Sequence, residues 1–214
     1  MKEHHVTAAR TARYFILGNA HGSLQQVWFV CHGYGQLARY FLQHFESLND
    51  GRRLIVAPEG LSRFYLQGFS DRVGASWMTR EDRLHEIADY VNFLNAVYGQ
   101  IVEKISLENV KVFALGFSQG TATVCRWVSH GTAKIDHLVL WAGLMPPDLD
   151  LKTHQKIFQK LDLTFVVGSH DEFAKPEQLA DQEKRLHEHG ISYRRVSFDG
   201  GHELNQKILE ELAR

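Results

Sequence analysis

A serine stands between two glycines in the segment Gly116-Phe117-Ser118-Gln119-Gly120, which has the G-x-S-x-G spacing of a nucleophile elbow. The apolar run Val110–Leu115 before it predicts a strand, and Gln119–His130 after it predicts a helix. So sharp a turn needs glycine on both sides of the serine, because a side chain at either position would clash. The pattern indicates Ser118 as a nucleophile with Oγ exposed near the positive end of the helix. A glycine-rich turn without a catalytic role is the alternative.

Two predicted strands after the serine end in residues that could activate it, since a serine hydroxyl needs a general base and a carboxylate behind that base. Leu163–Val167 is followed by Gly168-Ser169-His170-Asp171, and Tyr193–Phe198 is followed by Asp199-Gly200-Gly201-His202. Parallel strands end at the same edge of a sheet, so both segments belong beside the serine. In proteins with this elbow the acid precedes the base along the chain. The order predicts Asp171 as the acid and His202, at the start of the last helix, as the base.

Each of these assignments has a competitor nearby in the sequence. His170 is the alternative base, but it precedes the predicted acid. Asp199 is the alternative acid, although its closeness to the base in sequence does not direct its carboxylate at the imidazole Nδ1. Cys125 lies on the helix that follows the serine and lacks the strained turn of a nucleophile.

The loop after the predicted strand Val27–Cys31 has closely spaced glycines in the order His32-Gly33-Tyr34-Gly35-Gln36. Acyl transfer requires N–H donors directed at the developing oxyanion, and glycines let a loop turn its amides inward. We predict that the backbone N–H groups of Tyr34 and Gln119 form an oxyanion hole. A plain turn at His32-Gly33 is the alternative.

Short apolar runs alternate with longer segments of helical period, which predicts an α/β fold with a mostly parallel central sheet and helices on both faces. The predicted strands are Tyr14–Leu17, Val27–Cys31, Leu54–Ala57, Val110–Leu115, His137–Trp141, Leu163–Val167 and Tyr193–Phe198. The predicted helices are Ala38–Leu48, Arg80–Val102, Gln119–His130, Thr153–Lys160, Pro176–His189 and Glu203–Ala213. We expect a single domain over residues 1–214, without a separate cap domain and with one long irregular stretch, Pro58–Thr79.

Apolar side chains in this long stretch, together with Leu144-Met145, are candidates for substrate contact. The candidates are Phe64, Tyr65, Phe69, Trp77, Met78, Leu144 and Met145. For Phe69, Trp77 and Met78, anchoring the stretch to the core is an equally good interpretation.

Composition excludes several classes of partner and site. The 24 Lys and Arg residues are balanced by 25 Asp and Glu residues without a basic run, so no nucleic-acid partner is expected. No apolar window resembles a signal peptide or a membrane span, which predicts a cytoplasmic protein without stable membrane insertion.

Cys31 and Cys125 are expected to be free thiols. His4-His5 is interpreted as part of a solvated terminus, and no metal or other cofactor is expected.

Taken together, these motifs resemble the phospholipase/carboxylesterase family of α/β-hydrolases, which includes bacterial carboxylesterases and acyl-protein thioesterases. The resemblance spans most of the chain and rests on His32-Gly33-Tyr34-Gly35, Ala57-Pro58, Gly116-Phe117-Ser118-Gln119-Gly120, the Gly168-to-Asp171 turn and Gly200-Gly201-His202-Glu203. It implies an α/β-hydrolase fold, the triad Ser118, His202 and Asp171, and an oxyanion hole from the Tyr34 and Gln119 amides.

Three positions depart from the pattern of many family members. Gln36 stands where they carry an acidic residue, and Thr121 stands where they carry glycine or alanine. Glu59-Gly60-Leu61-Ser62-Arg63 replaces a proline-rich stretch. These departures leave the triad residues unchanged. They affect how far the substrates of the family can be inferred for this chain.

The expected activity is hydrolysis of a small-molecule carboxylic ester through an acyl-enzyme, by a monomer or homodimer that needs no cofactor. Hydrolysis of an acyl thioester or a lysophospholipid by the same triad is the nearest alternative. A non-catalytic ligand-binding module on a hydrolase fold is the alternative from another class.

Overall fold

A seven-stranded sheet organises the computed structural model, which describes residues 1–19 and 24–214. The strands of the structure are β1 Tyr14–Leu17, β2 Gln26–Cys31, β3 Arg53–Pro58, β4 Ser62–Tyr65, β5 Val73–Ser76, β6 Lys111–Phe117, β7 His137–Trp141, β8 Asp162–Gly168 and β9 Arg194–Phe198. The large sheet has the order β1-β3-β2-β6-β7-β8-β9, and only β1 is antiparallel to its neighbour. The mostly parallel sheet and all seven of its predicted strands are confirmed.

All six predicted helices are present, with changes at their ends. They are α1 Ala38–Phe41, α2 Arg83–Val102, α3 Gln119–His130, α4 Leu151–Phe158, α5 Pro176–Glu188 and α6 Gln206–Leu212, and α1 continues into a 3₁₀ helix at Leu42–Leu48. The last helix begins later than predicted, because the side chain of Asn205 accepts a hydrogen bond from Ile208 N and caps it there. His202 therefore lies in the loop before α6.

Among the described helices, none is long and apolar enough to cross a membrane.

Helices cover both faces of the sheet, which explains why its strands read as continuous apolar runs. Alternate residues of β2 point to opposite faces. Phe29 faces the layer of α2 and α3, where its ring centroid lies 5.3 Å from that of Trp127. Trp28 faces the other layer, which contains Phe41 of α1 and Phe45 of the 3₁₀ helix. The carboxyl edge of the sheet, where the candidate residues lie, is thus held between two packed cores.

The prediction of an irregular stretch at Pro58–Thr79 is wrong, because this segment contains the antiparallel hairpin of β4 and β5. Its strands pair from Ser62 opposite Ser76 to Tyr65 opposite Val73. The hairpin is also attached to the loop after β2, since Gly35 N donates to Ala75 O and Ala75 N donates to Gln36 O. Each strand has only four residues, too few for a clear alternation in the sequence.

A buried carboxylate joins the hairpin to two other parts of the chain. Glu59 is 1% exposed, and its oxygens accept hydrogen bonds from Arg13 Nε at 2.7 Å, Arg63 Nε at 2.8 Å and Ala38 N at 3.2 Å. Burial raises the pKa of Glu59, but the hydrogen bonds and charges of the two arginines outweigh it and leave the pKa below its usual value. The ionised carboxylate therefore links the N-terminal segment, α1 and the hairpin.

We expect Glu59→Gln to lower the free energy of unfolding at pH 7 by about 1.5–3 kcal/mol, the contribution of a hydrogen bond to a charged group. The lowered pKa of Glu59 means that its stabilisation is present above the unfolded-state value near 4.5 and is lost as pH falls through the folded-state value. Urea denaturation at pH 7 and at pH 3.5 to 4 should therefore show a smaller difference between the two proteins in acid.

Glu108→Gln is the matched control, because Glu108 is an exposed glutamate. Its change in unfolding free energy should stay within about 0.5 kcal/mol at both pH values. Equal effects of the two substitutions would contradict a structural role of the Glu59 carboxylate.

Candidate active site

Ser118 occupies the turn between β6 and α3 with backbone angles φ 54° and ψ −116°. A positive φ is rare for a residue with a side chain and persists only where the surroundings hold it. Here Ser118 N donates to Trp141 O of the neighbouring strand β7 at 2.9 Å. The half-buried serine is therefore fixed in the strained geometry of a nucleophile elbow.

Glycine is required on both sides of the serine by close backbone contacts. A Cβ at Gly116 would lie 2.2 Å from the carbonyl oxygen of Gly120, and a Cβ at Gly120 would lie 2.2 Å from the carbonyl oxygen of Cys31. Both distances are far below any normal contact of a carbon atom. The helix α3 can begin this close to β2 only because neither position carries a side chain.

His202 and Asp171 are brought together by the loops after β9 and β8. His202 Nδ1 lies 3.0 and 3.1 Å from the two carboxylate oxygens of Asp171. The Asp171 side chain is fully buried, and Phe173 N donates a further hydrogen bond to it at 2.9 Å. With Nδ1–H donating to the carboxylate, Nε2 of His202 carries the free lone pair that a general base needs.

The imidazole of His202 lies between two aromatic rings, one of which belongs to the elbow. The ring centroid of Phe117 is 5.0 Å from that of His202, and the edge of Phe173 approaches it at 4.8 Å. Phe117 directly precedes Ser118, so this contact places the base beside the serine. Both side chains are described, and no hydrogen bond joins Ser118 Oγ to His202 in the free chain. Nucleophile–base hydrogen bonds commonly tighten only in the complex with substrate.

The competing residues are paired with each other instead. His170 Nδ1 lies 3.2 Å from Asp199 Oδ1, and the two side chains are 73% and 93% exposed. An exposed pair of this kind is screened by water and has no buried carboxylate to orient the imidazole. The competing nucleophile Cys125 is buried, and burial raises the pKa of its thiol, so it is not a thiolate at neutral pH.

The loop after β2 lies directly against the serine. A Cβ at Gly33 would be only 3.3 Å from the Cβ of Ser118. Hydrogen bonds within the loop and to the hairpin use three of its amides: Gly33 N donates to Gln36 Oε1, Gly35 N to Ala75 O and Gln36 N to Gly33 O. Among the described residues, the N–H groups of Tyr34 and Gln119 have no acceptor. Two free donors beside a serine are what an oxyanion hole requires.

Gln36 stands where many members of the family that the sequence resembles carry an acidic residue. Its amide oxygen accepts a hydrogen bond from Gly33 N at 2.8 Å, so it stabilises the loop without a charge. Thr121 replaces a smaller residue, and its hydroxyl lies 2.7 Å from Ser118 O and 3.1 Å from Leu144 O. Both departures from the family pattern therefore make local hydrogen bonds around the elbow.

His32 is a positioning residue that sequence reasoning missed. It is fully buried, and its Nε2 accepts from Gly60 N at 3.0 Å, so Nδ1 carries the proton and donates to Gly33 O at 2.7 Å. Burial lowers the pKa of His32, which keeps the imidazole neutral. The residue ties the glycine loop to the segment after β3, and only its place before Gly33 could have indicated this.

The side chain of Gln119 has a second role that the sequence did not indicate. Its Oε1 accepts from Trp77 N at 3.1 Å, and its Nε2 donates to Met78 O at 2.9 Å and to Ser76 Oγ at 3.0 Å. Gln119, whose backbone N–H has no acceptor among the described residues, thus also links the end of the hairpin to the elbow through its side chain.

Two of the predicted substrate-contact residues belong to the core. Trp77 is 1% exposed and its indole Nε1 donates to His32 O, so it braces the glycine loop from behind. Met145 is 3% exposed, and its backbone N donates to Gln182 Oε1 of α5. These placements correct the expectation that the two side chains form walls of the site, and anchoring is the better interpretation of Trp77.

The other candidates are accessible to different degrees. Phe64 packs on the ring of Tyr34 at 5.1 Å, beside the glycine loop. Tyr65 and Phe69 are 51% and 96% exposed. Met78 and Leu144 are half-buried, and Met78 packs against the core.

A cavity of about 660 Å³ lies beside the glycine loop, between α1 and the hairpin. Its walls include Gln36, Tyr40, Phe41, Leu66 and Val73. Phe41 also contacts Phe117 of the elbow, with ring centroids 6.0 Å apart. None of the seven predicted contact residues lines this cavity, because its walls come from the glycine loop, from α1 and the 3₁₀ helix, and from other positions of the hairpin.

Metal-binding side chains do not gather at this site. In the described part of the chain, the one cluster of three such residues is His5, Asp82 and His85, and it contains none of the triad.

Comparisons with solved structures find the same fold at low sequence identity. Acyl-protein thioesterase 2 from Zea mays is 16% identical, with a TM-score of 0.73 over 94% of this chain and 96% of that one. Carboxylesterase from Mesorhizobium loti is 18% identical, with a TM-score of 0.71 over 94% of each chain. Bacillus cereus carboxylesterase is 14% identical, with a TM-score of 0.65 over 94% of this chain and 91% of that one. No protein-family model and no curated protein matches the sequence. The chain therefore has the α/β-hydrolase fold.

We expect Gly120→Ala to lower the free energy of unfolding by about 1–3 kcal/mol or more, because the new Cβ would overlap the carbonyl of Cys31. Gly99→Ala is the matched control, since a Cβ at this position in α2 meets nothing within 4 Å. That substitution should raise stability by about 0.5–1 kcal/mol through better helix propensity. Urea denaturation measures both, and equal stability of the two variants would contradict the close contact of α3 with β2.

Proposed function

We propose that the chain is a serine hydrolase of carboxylic esters, with Ser118 as nucleophile, His202 as general base and Asp171 as the acid that orients it. The observation that carries this proposal is the pairing of His202 Nδ1 with both oxygens of the buried Asp171, beside a serine held in an elbow. Together with the sequence motifs and the shared fold, it supports membership of the phospholipase/carboxylesterase family.

In the first step the Ser118 hydroxyl oxygen attacks the ester carbonyl carbon while Nε2 of His202 takes the hydroxyl proton. The carbonyl electron pair moves onto oxygen, and the N–H groups of Tyr34 and Gln119 donate to the resulting oxyanion. Collapse of this tetrahedral intermediate breaks the bond to the alkoxide. The leaving group takes the proton from His202 and departs as an alcohol, with the acyl group on Ser118.

The second step repeats this chemistry with water. Nε2 of His202 removes a proton from water, whose oxygen attacks the acyl carbonyl. The second tetrahedral intermediate expels Ser118 Oγ, which is reprotonated by His202, and the carboxylic acid is released. The buried Asp171 carboxylate stabilises the imidazolium that forms in both steps and keeps its ring orientation fixed.

The substrate class is an ester with an apolar acyl or alcohol part. The cavity beside the glycine loop has mostly apolar walls, including Phe41, Leu66 and Val73, and its volume suits a group of modest size. The similar folds include both carboxylesterases and an acyl-protein thioesterase. Thioester hydrolysis by the same residues is the alternative, and leaving-group preference separates the two.

The direct test is hydrolysis of p-nitrophenyl esters with acyl groups from acetyl to palmitoyl. We expect Ser118→Ala to lower kcat/KM by at least about 10³-fold on every ester that the unchanged protein cleaves. A fluorophosphonate should label the unchanged protein once, at Ser118, and should not label the variant. Ser169→Ala is the matched control, since that serine precedes the exposed His170, and its activity should be unchanged.

Each other outcome points to a particular alternative. Turnover of acyl thioesters without turnover of any oxygen ester would favour the thioesterase. Neither turnover nor labelling would favour the ligand-binding module. Equal activity of Ser118→Ala and the unchanged protein would overturn the role of the serine.

A second prediction separates the two carboxylate–histidine pairs. Asp171→Asn should lower kcat by roughly 10³–10⁴-fold, because an amide no longer selects the imidazole tautomer that a base needs. Asp199→Asn should leave kcat within about threefold, since Asp199 pairs only with the exposed His170. Steady-state kinetics on the same p-nitrophenyl ester measure both variants. A larger loss in Asp199→Asn than in Asp171→Asn would reverse the assignment.

A further inference from the structure

His5 of the N-terminal segment meets Asp82 and His85 at the start of α2. His5 Nε2 lies 3.4 Å from Asp82 Oδ2, and His85 Nδ1 lies 2.6 Å from Asp82 Oδ1. The two imidazole rings are stacked, with centroids 4.1 Å apart. One ligand atom from each residue can be chosen so that all three lie within 4.8 Å of one another. Three donors at this separation can reach one ion.

The carboxylate of Asp82 faces the histidines and not the helix that it precedes. An aspartate before a helix normally accepts a hydrogen bond from a backbone N–H of the first turn. Asp82 makes no such bond and has a positive φ of 45°. Its two oxygens are divided between His85 and His5, one to each ring. The aspartate therefore bridges the two imidazoles.

The N-terminal segment that carries His5 is attached to the body of the protein at two later positions. Arg13 forms the ion pair with buried Glu59, and the guanidinium of Arg10 donates to Leu61 O. These contacts direct the segment towards α2. The position of His5 thus follows from anchors at Arg10 and Arg13 and from its contact with Asp82.

We propose that His5, Asp82 and His85 form a binding site for a divalent transition-metal ion of the zinc type. Two imidazole nitrogens and one carboxylate oxygen are a donor set that Zn²⁺ prefers, whereas Mg²⁺ and Ca²⁺ prefer oxygen ligands alone. The carboxylate of Glu3 lies 3.2 Å from His5 Nε2, next to this cluster. Negative charge from Glu3 and Asp82 favours a cation here.

The bound ion would act as a clip between the N-terminal segment and α2. It would close a loop from His5 to Asp82, and cross-links over long loops remove much of the freedom of the unfolded chain. The site contains no residue of the triad, so the ion has no part in the proposed ester hydrolysis. For His5, the proposal favours a ligand role over the solvated terminus that the sequence predicted.

The test is a calorimetric titration of the untagged full chain with ZnCl₂. We expect saturable binding of one ion per chain, with affinity lowered at least about tenfold in His5→Gln and in His85→Gln. His4→Gln is the matched control, because it removes a neighbouring histidine outside the cluster and should bind Zn²⁺ like the unchanged chain. MgCl₂ and CaCl₂ should give no saturable binding.

Thermal unfolding supplies a second readout that does not depend on activity. Saturating ZnCl₂ should raise Tm of the unchanged chain and of His4→Gln, and should raise it much less in His5→Gln. Without metal, all variants should have similar Tm values, which shows that they are folded. Absence of saturable Zn²⁺ binding, or equal loss of affinity in His4→Gln and His5→Gln, would overturn the proposed site. Ser118→Ala should bind Zn²⁺ normally whatever its activity.

Discussion

The close contact between α3 and strand β2 is the constraint on which the candidate active site depends. A Cβ at Gly120 would lie 2.2 Å from the carbonyl oxygen of Cys31, the last residue of that strand. Because the contact is this tight, the turn from β6 into α3 has no room for a relaxed backbone, and Ser118 is held at positive φ. The loop that follows Cys31 then lies against the serine. One backbone contact thus brings Ser118 and the glycine loop together.

The hairpin of β4 and β5 fixes that geometry from the other side. It bonds to the glycine loop through Ala75 and to the elbow through the side chain of Gln119. Buried polar groups that are fully hydrogen-bonded specify one arrangement, since any other would leave them without partners. His32 and Glu59 belong to this kind of network, and the described side chains include no buried polar atom without a partner. The glycine loop is therefore held in place by the hairpin as well as by the sheet.

The sequence predicted the sheet and placed Ser118, Asp171 and His202 at one edge of it because both depend on local signals. Buried parallel strands appear as apolar runs, and the acid and the base follow two of those strands. The hairpin was missed because its strands are short and its partners, such as Ala75 with Gln36, lie far apart in the sequence. The cavity walls were missed for the same reason. Which side chains face the cavity depends on how α1 packs against the hairpin, and no local sequence pattern encodes that packing.

The histidines show why residue type alone does not assign chemistry. His32 is neutral because burial lowers its pKa, and Gly60 N donates to its Nε2, whereas His202 Nδ1 faces the buried carboxylate of Asp171. His85 is exposed and shares an aspartate with His5. For His32 and His202 the partner lies on another element of the fold, and for His85 the second histidine, His5, comes from the N-terminal segment. For His202, the order of serine, aspartate and histidine along the chain predicted the pairing with Asp171, because this order recurs in proteins with the same elbow. No recurring order exists for His32 or for His5 and His85, so only the folded structure shows that His32 is buried in the core and that the other two share an exposed aspartate.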